Sequence, residues 1–338
     1  MNVLVSGDRG FIGQHVVAQL LKDGHVVVGM DSNVKYGPQQ HYFDTCENYT
    51  EYELDASNVG DVSYLLEHHA IDYFIMLAAR IGGISYFHAI PYTLLSDNMK
   101  LMAAQFDAAV KYGKLKRVVV LSSSMVYESA VLFPSHEGDE LRIPPPSSSY
   151  GFQKLSCEYF ARAAQEQFGL EYTIVRPFNC VGIGESRAVD VGSIRSGDIQ
   201  LAMSHVIPDL IQKLAKGQRP LHIFGDGSQV RHYTAAADLA RGITLAMLAP
   251  AAANNDYNLS TGEQTTVLEV AAKVWEYFYP GEPLEYLSYE PFKHDVQMRV
   301  PSVDKAFRDL GWKAETTLDE VLRVVVPHIR QLVDGGVM

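Results

Sequence analysis

The sequence predicts an α/β protein, with a doubly wound parallel sheet over residues 1–180 and a smaller α/β lobe over 181–338. Part of 226–265 is expected to return to the first domain. Three observations carry this expectation. Short runs rich in β-branched residues alternate with longer amphipathic stretches through the first half, the order that builds strand–helix–strand units. The strands are apolar throughout rather than alternating, as parallel strands covered on both faces must be. A chain of 338 residues is long enough for two lobes that each bury a core.

Taken in order, "NVLVSG" reads as the first strand and a helical pattern follows over 11–22. "HVVVGMD" and "YTEYELD" are the next two strands, then comes a helix over 58–68, and "DYFIMLAA" is the fourth strand. A helix over 91–112 leads to "KRVVVLSSS". After a loop over 127–148, a helix begins at Tyr150, capped by Ser148 or Ser149 and ended by Gly169. The strand "EYTIVRP" stops at Pro177. The polar, glycine-rich run "GIGESRAVDVGSIRSGD" reads as a mobile segment beside a site, and shorter mixed elements follow it as the second lobe. "PPPSSS" and "APAAANN" read as surface loops, and no internal repeat is evident.

The net charge of −12 without a basic block argues against a nucleic-acid surface. Three cysteines, Cys46, Cys157 and Cys180, are odd in number and lack metal-ligand spacing, which points to reduced thiols in a reducing compartment. The chain opens on an apolar strand without a basic leader, and no apolar run approaches the ~20 residues needed to span a bilayer, so a soluble cytoplasmic protein is expected. The 12 histidines are scattered and His68 and His69 are adjacent rather than on one helical face, so no metal site is predicted.

Two motifs carry chemistry. In "VLVSGDRGFIG" a strand runs into Gly7, Gly10 and Gly13 and then into a helix. Glycines there permit a tight turn and let the backbone approach a pyrophosphate at the helix N-terminus. The next strand ends in Asp31, at the spacing where a carboxylate meets the adenosine ribose hydroxyls of NAD. That carboxylate would repel a ribose 2′-phosphate and favours NAD over NADP, with Arg9 and Lys35 as the cations nearby. Asp55 ends the third strand as an adenine contact or as a helix cap. The second motif is Tyr150 with Lys154. Residues four apart share one helical face, and an ammonium near a phenol favours the phenolate, which could serve as a base. The ordinary alternative is a half-buried aromatic beside a solvated charge.

The glycine run, "SSSMVY" after the fifth strand, and Y-x-x-x-K at Tyr150 and Lys154 resemble the extended short-chain dehydrogenase/reductase family, in particular its nucleotide-sugar epimerases and dehydratases. "RPFNCVG", "HVIPDL", "IFGDGSQVRHYT" and "LGW" extend the resemblance over most of the chain. It implies a Rossmann-type domain with NAD as cofactor, a nucleotide diphosphate sugar as substrate, and a homodimer through the helices over 91–112 and 150–168. Leu94, Leu95, Met102, Phe106, Leu155, Tyr159 and Phe160 supply the apolar surface for that contact, with burial on the sheet as the alternative.

The resemblance also assigns roles. Tyr150 becomes the catalytic acid/base, and Lys154 lowers its pKa and holds the nicotinamide ribose. Ser123, three residues before Val126, bonds the reacting hydroxyl, with Ser124 in reserve. Phe11, Ile12, Ala56 and Ala78 join the cofactor site. Asn179 and Arg231 match diphosphate contacts, and Arg299 lies in the segment lining the nucleotide or sugar site, or forms a surface ion pair. Arg80, before "IGGISYFHA", is a sugar-side residue or a solvated charge, and His205 is an acid or a simple helix cap.

Departures narrow the chemistry. The 4,6-dehydratases place an Asp–Glu pair where this chain has Ser124 and Met125, and 3,5-epimerases place a Cys at Met125, whose thioether cannot exchange protons. The resemblance therefore implies a nucleotide-sugar epimerase, acting at C4 through a transient 4-keto sugar with the cofactor recycled in place. A 4,6-dehydratase or 3,5-epimerase using other groups is the alternative within the family, and a non-catalytic NAD-bound sensor or scaffold the alternative outside it.

Overall fold

The computed structural model describes residues 1–81, 90–185, 195–196, 199–200, 205–291 and 296–338. The loop expected to cover the sugar after Arg80 and most of the expected mobile segment lie outside the described residues.

Six strands run through the first half, joined by α-helices except between the second and third, where a 3₁₀ turn over Tyr42–Thr45 stands. They are β1 (Asn2–Ser6), β2 (Val26–Asp31), β3 (Tyr49–Glu53), β4 (Tyr73–Met76), β5 (Arg117–Leu121) and β6 (Tyr172–Pro177). The helices are α1 (Phe11–Lys22), α2 (Val59–His68), α3 (Pro91–Tyr112) and α4 (Ser149–Phe168). A seventh strand, Asn255–Leu259, joins beside β6, giving the order Asn255–Leu259, β6, β5, β4, β1, β2, β3, all parallel. β1 pairs with β2 on one side and β4 on the other, so the strand order reverses there and a crevice opens beyond the carboxyl ends of β1 and β4.

Alternate residues of each strand point to opposite faces, and both faces are covered. Val3 and Val5 pack with Val16, Val17 and Leu20 of α1 and with Leu239, Ile243 and Met247 of the helix Ala236–Leu248. Leu4 faces the other way, towards Val62 and Leu65 of α2, Met102 and Phe106 of α3, and Ala161 of α4. This double burial explains why the inner strands β1, β2, β4 and β5 carry no polar alternation. β3, at the sheet edge with Thr50, Glu51 and Glu53 exposed, departs from the expected apolar pattern because only one neighbour covers it.

A second core gathers Ile207, Leu210 and Leu214 of the helix Val206–Ala215 with Val270, Val274 and Trp275 of the helix Val267–Glu276 and Leu322 and Val325 of the helix Leu318–Asp334. The chain returns to the first core once more, through Trp312, whose indole N–H donates to the Asp238 carbonyl at 2.9 Å.

Element ends differ from the sequence expectation where a side chain finds another partner. β5 stops at Leu121 because Ser123 turns the chain, its hydroxyl accepting from the Met125 amide at 3.2 Å and opening a 3₁₀ turn over Ser124–Tyr127. α4 begins at Ser149, with Ser148 as the cap accepting from the Gly151 amide at 3.0 Å. α2 is capped by Asn58, which accepts from the Gly60 amide at 2.8 Å, so Asp55 is not the cap.

Leu94, Met102, Phe106 and Leu155, expected at a dimer contact, are buried within the chain. Leu95 and Phe160 are partly buried, and Tyr159 is half exposed. Helix-on-sheet and helix-on-helix packing consumes most of that apolar surface. Among the described residues no helix is long and apolar enough to cross a membrane.

Candidate active site

α4 is held in place by a buried ion cluster. Arg176 of β6 donates through Nε and Nη2 to the two carboxylate oxygens of Glu158 on α4, at 2.7 Å each, and pairs with Asp256 of the seventh strand at 2.7 Å. Glu140 lies 2.9 Å from the same guanidinium, and the Ser122 hydroxyl donates to Glu158 at 2.6 Å. With its charge paired this way, a fully buried arginine can lock α4, the end of β5 and β6 into one geometry.

Tyr150 and Lys154 therefore project from a fixed helix into a cavity of about 710 Å³ at the carboxyl ends of the strands. The cavity is lined on one side by the sheet and on the other by the second lobe, and every candidate site residue read from the sequence lines it.

At one end lies the glycine turn. Gly7 has φ of 74°, and a Cβ there would sit 2.8 Å from the Ala78 amide, so only glycine lets β1 turn against the end of β4. A Cβ on Gly13 would sit 2.0 Å from the Gly7 carbonyl. Gly10 caps α1 without a side chain, leaving the first-turn N–H groups beside Phe11 and Ile12 for an anionic ligand. Asp31 accepts from the Asn33 amide at 2.9 Å and from the Arg9 amide, and burial raises its pKa. Asp55 accepts from the Ser57 amide at 2.8 Å and lines the cavity with Ala56.

At the other end, Tyr150 is buried and its phenol and the Ser123 hydroxyl are hydrogen-bonded. Burial pushes the phenol up to about 12, against the pull of that hydrogen bond and of the Arg299 guanidinium. Arg299 is thus a cation that favours the phenolate. Lys154 donates through Nζ to the Leu121 carbonyl at 2.7 Å, and burial lowers its own pKa. Ser124 lies beside Ser123 on the same wall.

The remaining residues come from distant segments. Asn179 sits at φ of 38°, its amide reaching the His232 carbonyl at 3.4 Å. Arg231 is buried, with Nη1 donating to the Val230 carbonyl at 2.9 Å. Arg80 is ion-paired with Asp97 at 2.5 Å rather than solvated. His205 starts the helix Val206–Ala215 without a side-chain cap bond, and its Nδ1 instead meets Glu185 at 2.6 Å. Sequence reading missed that buried carboxylate, and also Lys213, Phe224 and Tyr233, which line the second-lobe wall. Lys213 pairs with Asp209 at 2.7 Å and lies 5.1 Å from the Phe224 ring. The i,i+4 spacing of Asp209 and Lys213 was the available signal; nothing local marks Glu185.

The NAD dependent epimerase/dehydratase family matches residues 3–260 of this chain. The chain belongs to that family. It is an NAD-dependent enzyme of the extended short-chain dehydrogenase/reductase class, as the motifs imply. A UDP-glucuronate 4-epimerase of Thermodesulfobacterium geofontis is 28% identical over 330 residues, covering 96% of this chain and 94% of that one. UDP-glucose 4-epimerase 3 of Oryza sativa subsp. japonica is 30% identical over 345 residues, covering 95% and 88%. Among solved structures, a UDP-glucose 4-epimerase of Thermotoga maritima with UDP-glucose superposes with a TM-score of 0.81 at 27% identity, covering 98% of this chain and 100% of the other.

Proposed function

We propose that this chain interconverts nucleotide sugars at C4, with a UDP-sugar as substrate. The observation that carries the reading is the Ser123–Tyr150 hydrogen bond on the cavity wall beside Lys154, with Met125, which cannot exchange protons, next to it. The relatives named above are UDP-sugar 4-epimerases across nearly the whole chain.

The glycine turn, the uncapped α1 terminus and the Asp31 carboxylate fit the pyrophosphate and ribose of a dinucleotide. NAD, when bound there, supplies a two-electron acceptor and donor for the carbon that is inverted. Tyr150 as phenolate takes the proton of the 4-hydroxyl at Oη and returns it after inversion, while Ser123 holds that hydroxyl. Lys154 would hold the nicotinamide ribose. Asn179, Arg231 and Arg299 would hold the diphosphate, leaving the sugar able to turn within the cavity. The second lobe, mainly 181–338, is read as the nucleotide-sugar side.

A second reading, a 3,5-epimerase or a dehydratase, is favoured by one observation, the His205–Glu185 pair on the cavity wall. The two differ in product: incubation with UDP-sugars and NMR of the sugar yields the 4-epimer with no net NADH under the first, and a deoxy-keto sugar or another epimer under the second. A scaffold without activity would need none of Ser123, Tyr150 and Lys154.

Cytoplasmic residence and a homodimer complete the proposal. They are supported by three free cysteines and by exposed Tyr92, Phe152 and Tyr159 on α3 and α4. A monomer in light scattering at micromolar concentration would remove the dimer.

A further inference from the structure

Arg9 lies inside the glycine turn, between Gly7 and Gly10, yet only 3% of it is exposed. Its Nη1 pairs with Asp44 at 2.7 Å and donates to the Gln39 carbonyl at 3.3 Å, and its Nη2 pairs with Glu51 of β3. The rings of Tyr49 and Phe43 flank the guanidinium at 5.5 and 5.9 Å. Asp8 contributes a third carboxylate, 3.8 Å from Nε. It is seated against β2 because Gly29 has no side chain: a Cβ there would fall 2.1 Å from Asp8 Oδ2. The Arg9 backbone amide donates to Asp31, the carboxylate at the ribose end of the cavity, and Arg9 lines that same end.

A guanidinium at this place is the group a ribose 2′-phosphate would seek, since arginine recognises phosphate through two parallel hydrogen bonds. Here both terminal nitrogens are already committed to carboxylates. We propose that Asp44 and Glu51 act as a clamp on Arg9 that sets cofactor choice, withholding the cation from a 2′-phosphate and leaving Asp31 to face the ribose. NAD is then preferred both through the carboxylate that meets its diol and through the withdrawal of the guanidinium that would welcome NADP. The proposal depends on dinucleotide binding alone and not on which sugar is turned over.

The test is calorimetric titration of the full chain, cleared of bound nucleotide, with NAD and with NADP in the absence of sugar. Asp31 is kept, so the change reads Arg9 alone. Asp44→Asn/Glu51→Gln should tighten NADP by about tenfold or more while NAD stays within about threefold of its wild-type affinity. Adding Arg9→Met should abolish the gain. An NADP-to-NAD affinity ratio unchanged in the double variant, or a gain that survives Arg9→Met, overturns the clamp. Should the double variant fail to fold, judged by its thermal transition, Glu51→Gln alone must still move the ratio by about threefold in the same direction, and an unchanged ratio there overturns the proposal equally.

Discussion

The two ends of the cavity are built on opposite electrostatic plans. The ribose end is acidic: Asp31, Asp8, Asp44 and Glu51 surround a single arginine whose charge is consumed by its neighbours. The reaction end gathers Lys154 and Arg299 about one buried phenol, with Arg231 further along the wall. A neutral diol is best met by a carboxylate, whereas a phenolate needs a cation, so the two ends suit different chemical groups. The difference also separates local from long-range design. Tyr150 and Lys154 are four residues apart on one helix, while the Arg9 cluster is assembled from the glycine turn, β3 and the turn over Tyr42–Thr45.

The largest break in that comparison should come from Tyr150→Phe, which removes the proton acceptor and leaves the charge layout intact. Turnover should fall by about 10²-fold or more with substrate affinity nearly unchanged, and full activity would refute the mechanism. Lys154→Ala should lower turnover and weaken NAD binding together. Next in size, Arg299→Gln removes a cation that favours the phenolate. Because the active form is deprotonated and burial already raises its pKa, the ascending limb of the kcat–pH profile should move to higher pH and neutral-pH turnover should drop by about tenfold. KM should rise as well, through the lost diphosphate contact; a limb that stays in place would make Arg299 a binding residue only.

At the ribose end, Asp31→Ala should narrow the NAD-over-NADP preference by several-fold in a binding assay, and equal affinity of the two in the wild type would refute the assignment. The smallest effect concerns Asp8. Burial pushes its carboxyl up to about 7, so the folded chain holds a proton that the unfolded chain releases near pH 4. Stability should therefore fall as pH rises from about 4 to 7 and level off above, and Asp8→Asn should flatten that segment of the stability profile. An unchanged profile would place the titrating group elsewhere.

Much of the fold was legible because its signals are local. Apolar strands, amphipathic helices, the cap at Ser148 and the stop at Gly169 each follow from short-range sterics and hydrogen bonding. The same holds for Gly7, Asp31, Tyr150 and Lys154, whose spacing relative to a strand or helix places them. Other features depend on chain segments that meet only after folding. Trp312 returns to the first core 309 positions after Val3, Arg299 reaches Tyr150 across 149 positions, and Glu185 finds His205 across 20. Lys154 donates to the Leu121 carbonyl, 33 positions away, because burial strips water from its ammonium and a backbone acceptor at the end of β5 replaces it. By itself, then, the sequence determined the layered parallel sheet, the glycine turn and the helical Tyr–Lys pair, all set within a few residues of chain. Which charges face one another across the cavity was decided only by tertiary structure, because electrostatic partners are chosen by distance in space and by the exclusion of water, and neither is written in any local stretch.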